Sequence, residues 1–232
     1  MPHRIAIIED EEDLRENYAD VFRKQGYQVS CFQNRLEAQK VMQTRLPDLA
    51  IIDVGLGDEI DGGFTLCQWL RQQSKTLPII FLSARDSDFD IVSGLRMGAD
   101  DYLTKEISLP HLMARVAALF RRMEVMKNEG SKSDEIIQRD KLIIDGQRFL
   151  CSWQGQNIEL TLTEFWMVRS LVKHLGHVKN RDQLMDESKI VVDDATITSH
   201  IKRIRRKFIQ VDAEFDCIET VYGMGYRWVG KA

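Results

Sequence analysis

Five polar residues of the N-terminal half stand where short apolar segments end, and together they could transfer a phosphoryl group. They are Glu9, Asp10, Asp53, Ser83 and Lys105. Three neighbouring carboxylates repel one another unless a hard cation lies among them, and Mg²⁺ favours such an all-oxygen site. In-line phosphoryl transfer needs a nucleophile and positive charge on the equatorial oxygens. The set therefore predicts Asp53 as nucleophile, Mg²⁺ and Lys105 as the charges, and Ser83 as a hydrogen-bonding hydroxyl.

These residues can meet only if the apolar segments are parallel strands of one sheet. Up to about Arg122, the segments RIAII, YQVSCF, LAIID, PIIFLS and DYLTK alternate with stretches of helical periodicity. Five such βα units with nearly continuous apolar strands indicate a parallel sheet covered by helices on both faces. The carboxyl ends of all its strands lie on one edge, where ligands bind. We therefore predict a (βα)₅ α/β domain over residues 1–122.

A change of pattern divides the chain of 232 residues, which exceeds the usual size of one domain. The polar segment MEVMKNEGSKSDEIIQ is interrupted by glycine and serine, and it predicts a linker at 123–137. Residues 138–232 then combine short antiparallel strands, three helices and a terminal hairpin with glycine turns, an α+β domain. Thr161 and Glu164 have capping-box spacing at the start of the first of these helices.

The composition is that of a soluble globular protein, with 44% hydrophobic and 29% charged residues. The apolar run in MPHRIAIIEDEED is too short for a signal peptide or a membrane span, so we expect a cytoplasmic chain with no membrane partner. The cysteine spacings match no metal or redox motif and predict reduced thiols. These cysteines are Cys31, Cys67, Cys151 and Cys217.

The densest cationic stretch lies on the third helix of the second domain and indicates nucleic acid as a partner. Ile197, Ile201, Ile204 and Phe208 lie within a narrow arc at 100° per residue, so that face is predicted to be core. A solvated charged face is the alternative, but the short helix before it and the hairpin after it favour a helix in the DNA major groove. The predicted DNA-facing residues of this helix are Thr196, Ser199, Lys202, Arg203 and Arg206, with His200 and Arg205 at the margins.

The first domain resembles, over its whole length, the flavodoxin-like receiver domain of two-component response regulators. The resemblance rests on the acid pair, the single aspartate, the hydroxyl and the lysine named above. It implies that a sensor histidine kinase donates the phosphoryl group. The residues it assigns are Asp53 as phosphoacceptor, Glu9, Asp10, Asp53 and the Gly55 carbonyl as Mg²⁺ ligands, and Ser83, Lys105 and Tyr102 as phosphoryl-binding and switch residues.

The second domain resembles the winged-helix domain of the OmpR/PhoB family in LTLTEF, HIKRIRRKF and ETVYGMGYRW. The resemblance implies a transcriptional regulator, not an enzyme, that binds double-stranded DNA and meets RNA polymerase. Residues His200 to Arg206 are implied to face DNA. The wing around Thr220 to Tyr226, with Thr220 and Tyr222, is implied to touch the backbone or the minor groove.

Several residues depart from these family patterns. Glu106 follows Lys105 where relatives have a cis-proline, and the loop VGLGDEIDGG after Asp53 is longer and richer in glycine. Tyr222 and Ala195 stand where relatives commonly have cations, so we expect a weaker salt dependence of DNA binding. The loop Ser188 to Val192, which meets RNA polymerase in relatives, is shorter than usual.

Relatives dimerise through the fourth helix, the fifth strand and the fifth helix, by charge pairs across a two-fold interface. Asp101 and Arg115 occupy positions of one such pair. Ile91, His111 and Ala117 stand where other charges are expected. We therefore predict a homodimer that phosphorylation promotes and whose interface is more apolar than in relatives.

Two other functions remain open at this point. The receiver could be an unphosphorylated tether that joins the DNA-binding domain to a protein partner. A Mg²⁺-dependent phosphatase with an aspartate nucleophile is disfavoured, because Gly55 stands where its second acid would be. The segments DVGLGDEIDGG and SARDSDF also resemble a subgroup linked to dedicated sortase systems of Gram-negative bacteria.

Overall fold

The computed structural model describes residues 2–128, 136–187 and 194–230. The chain divides into two compact units, Met1–Val116 and Ala117–Ala232. This agrees with the expected number of domains. The predicted linker at 123–137 comprises the end of a helix, residues outside the described ranges and the start of a strand. The loop Ser188 to Val192 also lies outside the described residues.

The first unit alternates strands and helices as the sequence predicts. In chain order its elements are β1 Arg4–Ile8, α1 Glu12–Lys24, β2 Gln28–Phe32, α2 Arg35–Met42, β3 Leu49–Ile52, α3 Gly62–Gln73, β4 Ile79–Ser83, α4 Asp88–Met97, β5 Asp101–Thr104 and α5 Leu109–Asn128, whose last residues belong to the second unit. The strands form one parallel sheet in the order β2-β1-β3-β4-β5. The strand order reverses between β1 and β3, and this reversal opens a crevice at their carboxyl ends.

The central strands are buried because helices cover both faces of the sheet. All residues of β3 and β4 are buried, as the continuous apolar runs predict. Asn34 and Ser87 begin α2 and α4 by accepting hydrogen bonds from backbone amides in the first turn. Gly98 ends α4 with a φ of 116°, a left-handed conformation that favours glycine.

The second unit is an α+β fold with two separate antiparallel sheets. Its remaining elements are β6 Ile136–Arg139, β7 Leu142–Asp145, β8 Leu150–Trp153, β9 Gln156–Asn157, α6 Leu162–Lys173, α7 Arg181–Glu187, α8 Asp194–Ile209, β10 Ile218–Val221 and β11 Gly225–Trp228. Strands β6 to β9 form a four-stranded sheet in chain order, and β10 pairs with β11 in a hairpin. Strand β6 includes two residues that were predicted as linker, because its four residues, IIQR, are few and lack an apolar alternation.

The core of the second unit centres on α8 and on a group of aromatic rings. Ile197, Ile201, Ile204 and Phe208 are each no more than 1% exposed, which confirms the predicted core face of α8. The rings of Trp153, Phe208, Phe215 and Trp228 pack with centroids 4.5 to 6.1 Å apart. Such aromatic contacts add to the stability that comes from burial itself.

The predicted capping box at the start of α6 is present. The Thr161 hydroxyl accepts from the Glu164 amide, and the Glu164 carboxylate accepts from the Thr161 amide. All four cysteines are free thiols, of which Cys31 is half-buried and the others are buried. Within the described ranges, none of the helices combines the length and the apolar character needed to cross a membrane.

Candidate functional site

Three carboxylates meet at the carboxyl edge of the parallel sheet. Glu9 and Asp10 follow β1, Asp53 follows the adjacent β3, and one oxygen from each lies within 4.8 Å of the others. Glu9 and Asp53 are buried and Asp10 is half-buried. Gly63 in the first turn of α3 lets that helix approach the backbone of Asp53 closely, because a Cβ there would lie 1.9 Å from the Asp53 carbonyl oxygen. The topology therefore produces the predicted juxtaposition.

Lys105 follows β5 and reaches the same cluster. Its Nζ lies 2.6 Å from Asp53 Oδ2 and 2.8 Å from Glu9 Oε2. The peptide bond to Glu106 is trans, as are all others within the described residues, so the lysine reaches the carboxylates without a cis bond. Burial would lower the pKa of Lys105, but its hydrogen bonds to Asp53 and Glu9 raise that pKa above its ordinary value. Lys105 is therefore a cation beside Asp53.

The cluster remains short of positive charge. Burial raises the pKa of Glu9 to about 7, and the charge of Asp53 adds to this rise although the hydrogen bond from Lys105 opposes it. A bound cation would offset both effects. Carboxylate oxygens that lie within 4.8 Å of one another form the kind of all-oxygen donor set that would suit Mg²⁺. The donor set fits Mg²⁺, and Gly55 lies on the loop directly after Asp53.

Ser83 and Tyr102 lie on the neighbouring strands β4 and β5. The Ser83 hydroxyl accepts from the Arg85 amide at 3.4 Å, and the Tyr102 hydroxyl donates to the Arg85 carbonyl at 2.9 Å. The Tyr102 ring is 3% exposed, and burial raises the pKa of its hydroxyl to about 12, so that hydroxyl stays a donor. Gly94 of α4 makes room for the ring, because a Cβ there would lie 2.6 Å from Tyr102 Cδ2. The ring therefore points inward.

Ion pairs hold the second half of the long loop after Asp53, close to the start of α3. Glu59 pairs with Arg35 of α2 at 2.6 Å, and Asp61 pairs with Arg85 of the β4–α4 loop at 3.0 Å. Arg85 thereby joins the loop after β3 to the loop after β4. Neither arginine was identified from sequence, because both partners lie on elements distant along the chain and no local pattern marks them.

Two aspartates at the start of β5 have partners within the same unit. Asp100 pairs with Arg71 at 2.9 Å and accepts from the Ile79 amide, so it stabilises the fold. Asp101 lies 3.3 Å from Arg115 of the same chain. The two residues expected to pair across a dimer interface are therefore already in contact within one chain. A dimer would have to exchange this contact for one between subunits.

The exposed face of α8 is narrower than predicted. Thr196 and His200 are fully buried and Arg203 is 7% exposed, so the structure corrects the expectation that these three side chains lie on the surface. The reason is that Arg203 forms an ion pair with the buried Glu164 of α6. His200 follows the same side of the helix, with its Nδ1 3.1 Å from an Arg203 nitrogen.

Glu164 is an organising residue whose role exceeds the capping expected from sequence. Besides Arg203, its carboxylate accepts from Lys207 at 2.6 Å and from the Thr161 amide at 2.7 Å. Burial would raise the pKa of Glu164, but the charges of Arg203 and Lys207 lower that pKa to about 2. The sequence feature that could have indicated a shared partner is the four-residue spacing of Arg203 and Lys207, which places both cations on one side of α8.

The other polar side chains of α8 reach solvent. Lys202 and Arg206 are exposed and Ser199 is half-buried. Arg206 follows Lys202 by four positions, so their charges lie along one stripe of the helix. This stripe keeps the cationic character that a surface facing phosphates needs.

Arg205 links α8 to the hairpin. Its guanidinium donates to the Ile218 carbonyl at 2.7 Å and to the Thr220 hydroxyl at 2.9 Å. Thr220 is exposed, and Tyr222 at the hairpin turn is 93% exposed. The structure thus places these two predicted wing residues on the surface. The hydrogen bonds of Arg205 hold the wing against the helix.

Two family models match the chain. The response regulator receiver domain matches residues 5–117, and the C-terminal domain of transcriptional regulatory proteins matches residues 155–228. The chain is 36% identical over 235 residues to the transcriptional regulatory protein BaeR of Escherichia coli O6:H1, covering 99% of this chain and 94% of BaeR. It is 33% identical over 229 residues to the sensory transduction protein RegX3 of Mycobacterium tuberculosis, covering 97% and 99%.

Solved structures share the fold over the full chain. A mutant of RitR matches with a TM-score of 0.76 at 23% identity and covers 99% of this chain and 100% of RitR. DrrB of Thermotoga maritima, described as an OmpR/PhoB homologue, matches with a TM-score of 0.52 at 23% identity, with the same coverage. The arrangement of a five-stranded parallel sheet followed by a winged helix therefore occurs in known proteins.

Proposed function

Because the chain belongs to the OmpR/PhoB family of two-component response regulators, we propose that phosphorylation of Asp53 controls its binding to DNA. The chain is a two-component transcriptional regulator, as its two domains and its full-length relatives show. One observation carries the assignment of the acceptor: Asp53 is in contact with the Lys105 ammonium at 2.6 Å and shares a carboxylate cluster with Glu9 and Asp10.

The proposed transfer follows from the positions of three side chains. A carboxylate oxygen of Asp53 attacks the donor phosphorus in line, and the bond from phosphorus to the donor nitrogen or oxygen breaks with its electron pair on the donor. An acyl phosphate forms on Asp53. Lys105 exchanges its contact with the carboxylate for one with a phosphoryl oxygen, and the Ser83 hydroxyl donates to another. In the proposed switch, the inward or outward rotamer of Tyr102 follows the movement of the Ser83 hydroxyl toward the phosphoryl group.

We assign Glu9, Asp10, Asp53 and the Gly55 carbonyl to hold Mg²⁺. When bound, Mg²⁺ supplies positive charge to the equatorial oxygens of the transferred group. The surroundings of Glu9 support the assignment: burial, and to a smaller extent the charge of Asp53, raise its pKa, and a bound cation would oppose both effects.

We assign α8 and the wing as the DNA-binding surface. The solvent-reaching residues of this surface are Lys202, Arg206 and the half-buried Ser199 on α8, Thr220 and Tyr222 on the wing, and the half-buried Arg205 between them. A helix with cations along an exposed stripe can lie in the major groove, where Lys and Arg side chains reach phosphates and base edges. The buried Thr196, His200 and Arg203 instead support the position of that helix.

The proposed partners follow from this function. A sensor histidine kinase supplies the phosphoryl group, and RNA polymerase is the machinery that the DNA-bound protein regulates. Both assignments place the protein in the cytoplasm. The tether alternative is not favoured, since the relatives are transcriptional regulators and the acceptor site retains its acids and its lysine. The link to sortase systems stays a prediction, which the genes beside this one would test.

Removing a phosphate-binding cation should weaken DNA binding and flatten its salt dependence. For Lys202→Ala and Arg206→Ala, each lost contact should reduce the log–log salt slope by about 0.9. Arg148→Ala is the matched control, because Arg148 is exposed in the turn between β7 and β8. Fluorescence anisotropy over a series of salt concentrations measures the slopes. Slopes for all three variants equal to that of the wild type would contradict the assigned surface.

Phosphorylation should promote a homodimer. With Mg²⁺ and beryllium fluoride, a phosphoryl mimic, gel filtration should show a dimer, and without the mimic it should show a monomer. Arg115→Ala should weaken the dimer if the contact with Asp101 is exchanged between subunits. A chain that stays monomeric with the mimic would contradict this prediction.

The function itself is tested by DNA affinity with and without a phosphoryl donor. The probe is a duplex that the donor-treated protein selects from a random-sequence library. Acetyl phosphate with Mg²⁺ should tighten binding roughly 5- to 150-fold, the usual range of coupling between two sites. A chelator added before the donor should prevent the change. Equal affinity under all conditions would overturn phosphorylation control.

A further inference from the structure

The tip of the wing exposes two large apolar side chains. Tyr222 is 93% exposed and Met224 is 60% exposed, and they flank Gly223, whose φ is 72°. The tip carries no charge, and the acid nearby in β10, Glu219, is paired with Arg227 at 2.8 Å. Exposed apolar groups of this size mark contact surfaces when they lie together.

The base of the hairpin is held firmly below this tip. The amide of Lys179 donates to the Tyr226 carbonyl at 2.8 Å, and the Tyr226 amide donates to the Lys179 carbonyl at 2.9 Å. At Gly225, whose φ is 131°, a Cβ would lie 2.0 Å from the Lys179 carbonyl oxygen. Trp228 is buried in the aromatic core. The tip is therefore presented by a fixed support, which lowers the entropy lost when it binds.

The hairpin is also joined to the cationic helix. The Tyr226 hydroxyl donates to the Thr198 hydroxyl at 3.4 Å, and Arg205 donates to the Thr220 hydroxyl at 2.9 Å. Thr198, Lys202 and Arg205 follow one another at helical spacing, so the exposed Lys202 lies on the side of α8 that faces the hairpin. The cationic surface of α8 therefore lies next to the hairpin that carries the apolar tip.

We propose that Tyr222 and Met224 form an apolar wedge that enters the DNA minor groove and partly unstacks a base step. This inference rests on the proposed binding of α8 to the adjacent major groove. Apolar side chains, including Met, enter minor grooves and kink the duplex, and aromatic rings stack on bases. An uncharged tip beside a cationic helix suits base contact better than phosphate contact. Because the cost of unstacking depends on the base step, the wedge would make the choice of DNA sequence depend on DNA deformability.

The test measures DNA bending and base unstacking together with affinity. The probe is the selected duplex, labelled at both ends for energy transfer or carrying 2-aminopurine at successive steps near the wing. The wild type should bend the duplex by roughly 20–90° and raise 2-aminopurine fluorescence at one step. Tyr222→Ala and Met224→Ala should reduce both signals. Tyr222→Ala should weaken binding roughly 5- to 150-fold, with an unchanged salt slope because no charge is lost.

Two further variants make the result specific. Ile136→Ala, at an apolar residue 63% exposed on β6, should leave bend and affinity unchanged. Tyr222→Arg should steepen the salt slope by about 0.9 and reduce the bend. Thermal unfolding should show that all variants remain folded, as expected for exposed positions.

Each contrary outcome has a distinct meaning. A wild type that binds the duplex without bending or unstacking it, and Ala variants that bind as tightly, would overturn the wedge and leave DNA binding intact. Loss of polymerase-dependent transcription in Tyr222→Ala, with bend and affinity unchanged, would assign the tip to a protein partner and also overturn the wedge. A wild type that binds no duplex would overturn the proposed function itself.

Discussion

The Asp53→Asn variant is expected to lose the entire response of DNA affinity to acetyl phosphate. An amide is a poor nucleophile and cannot form the acyl phosphate, so the donor has nothing to modify at the carboxylate cluster. Its affinity for the selected duplex should equal that of the untreated wild type, with or without donor and Mg²⁺. Anisotropy titrations of both proteins under both conditions measure this directly.

Asp58→Asn is the matched control for this result. Asp58 lies in the same loop but is exposed, and it is no part of the carboxylate cluster. It should keep the full response to the donor. If Asp53→Asn still responded as the wild type does, the acceptor would be another residue. If the Asp58 variant lost the response as well, the loop rather than Asp53 would carry the effect.

The Glu164→Gln variant is expected to destabilise the C-terminal unit by about 3–5 kcal/mol, the usual loss when one partner of a buried ion pair is removed. Glu164 is fully buried between Arg203 and Lys207. Removing its charge leaves Arg203 buried without its carboxylate partner. Since the proposed DNA-binding stripe lies on α8, the variant should also lose DNA affinity under conditions in which the unit unfolds.

The ion pairs of Glu164 also predict that the C-terminal unit loses stability in acid. The folded pKa of Glu164, about 2, lies below its ordinary value of 4.5. Its stabilising contribution is therefore complete above about pH 4.5 and is lost as the pH falls toward 2. In Glu164→Gln this part of the pH dependence should be absent, so the variant and the wild type should converge in stability as the pH approaches 2.

Urea unfolding followed by tryptophan fluorescence measures both effects. Three of the four tryptophans, Trp153, Trp166 and Trp228, belong to the C-terminal unit, so the signal reports mainly on it. Glu219→Gln is the control, because its pair with Arg227 is partly exposed and should contribute no more than about 1 kcal/mol. An equal loss in the two variants would contradict the structural role assigned to Glu164.

The cluster of carboxylates and lysine, the proposed acceptor site, could be predicted from sequence because strand ends converge in a parallel sheet. Glu9, Asp53, Ser83 and Lys105 each follow a recognisable apolar run, and the topology alone brings them to one edge. The sequence could not show whether Lys105 would reach Asp53 when Glu106, and not proline, follows it. Lys105 reaches Asp53 through a trans peptide, and that depends on the local path of the chain after β5.

The DNA-binding helix was only partly predictable. Periodicity located its core face correctly, but it could not show that Arg203 is buried, because the partner Glu164 lies 39 residues away. A charged residue belongs to the interior only when such a partner exists, and sequence periodicity does not reveal pairs between elements. The same reason applies to Arg85, whose partner Asp61 lies on another loop.

The central claim is that Asp53 accepts the phosphoryl group, and mapping that group on the wild-type protein tests it most directly. The protein is treated with acetyl phosphate and Mg²⁺, the acyl phosphate is reduced with borohydride, which converts the modified aspartate to homoserine, and the peptides are analysed by mass spectrometry. The modification should occur at Asp53 and should depend on Mg²⁺. Modification at Asp10 or Asp58 instead, or no modification at all, would contradict the account.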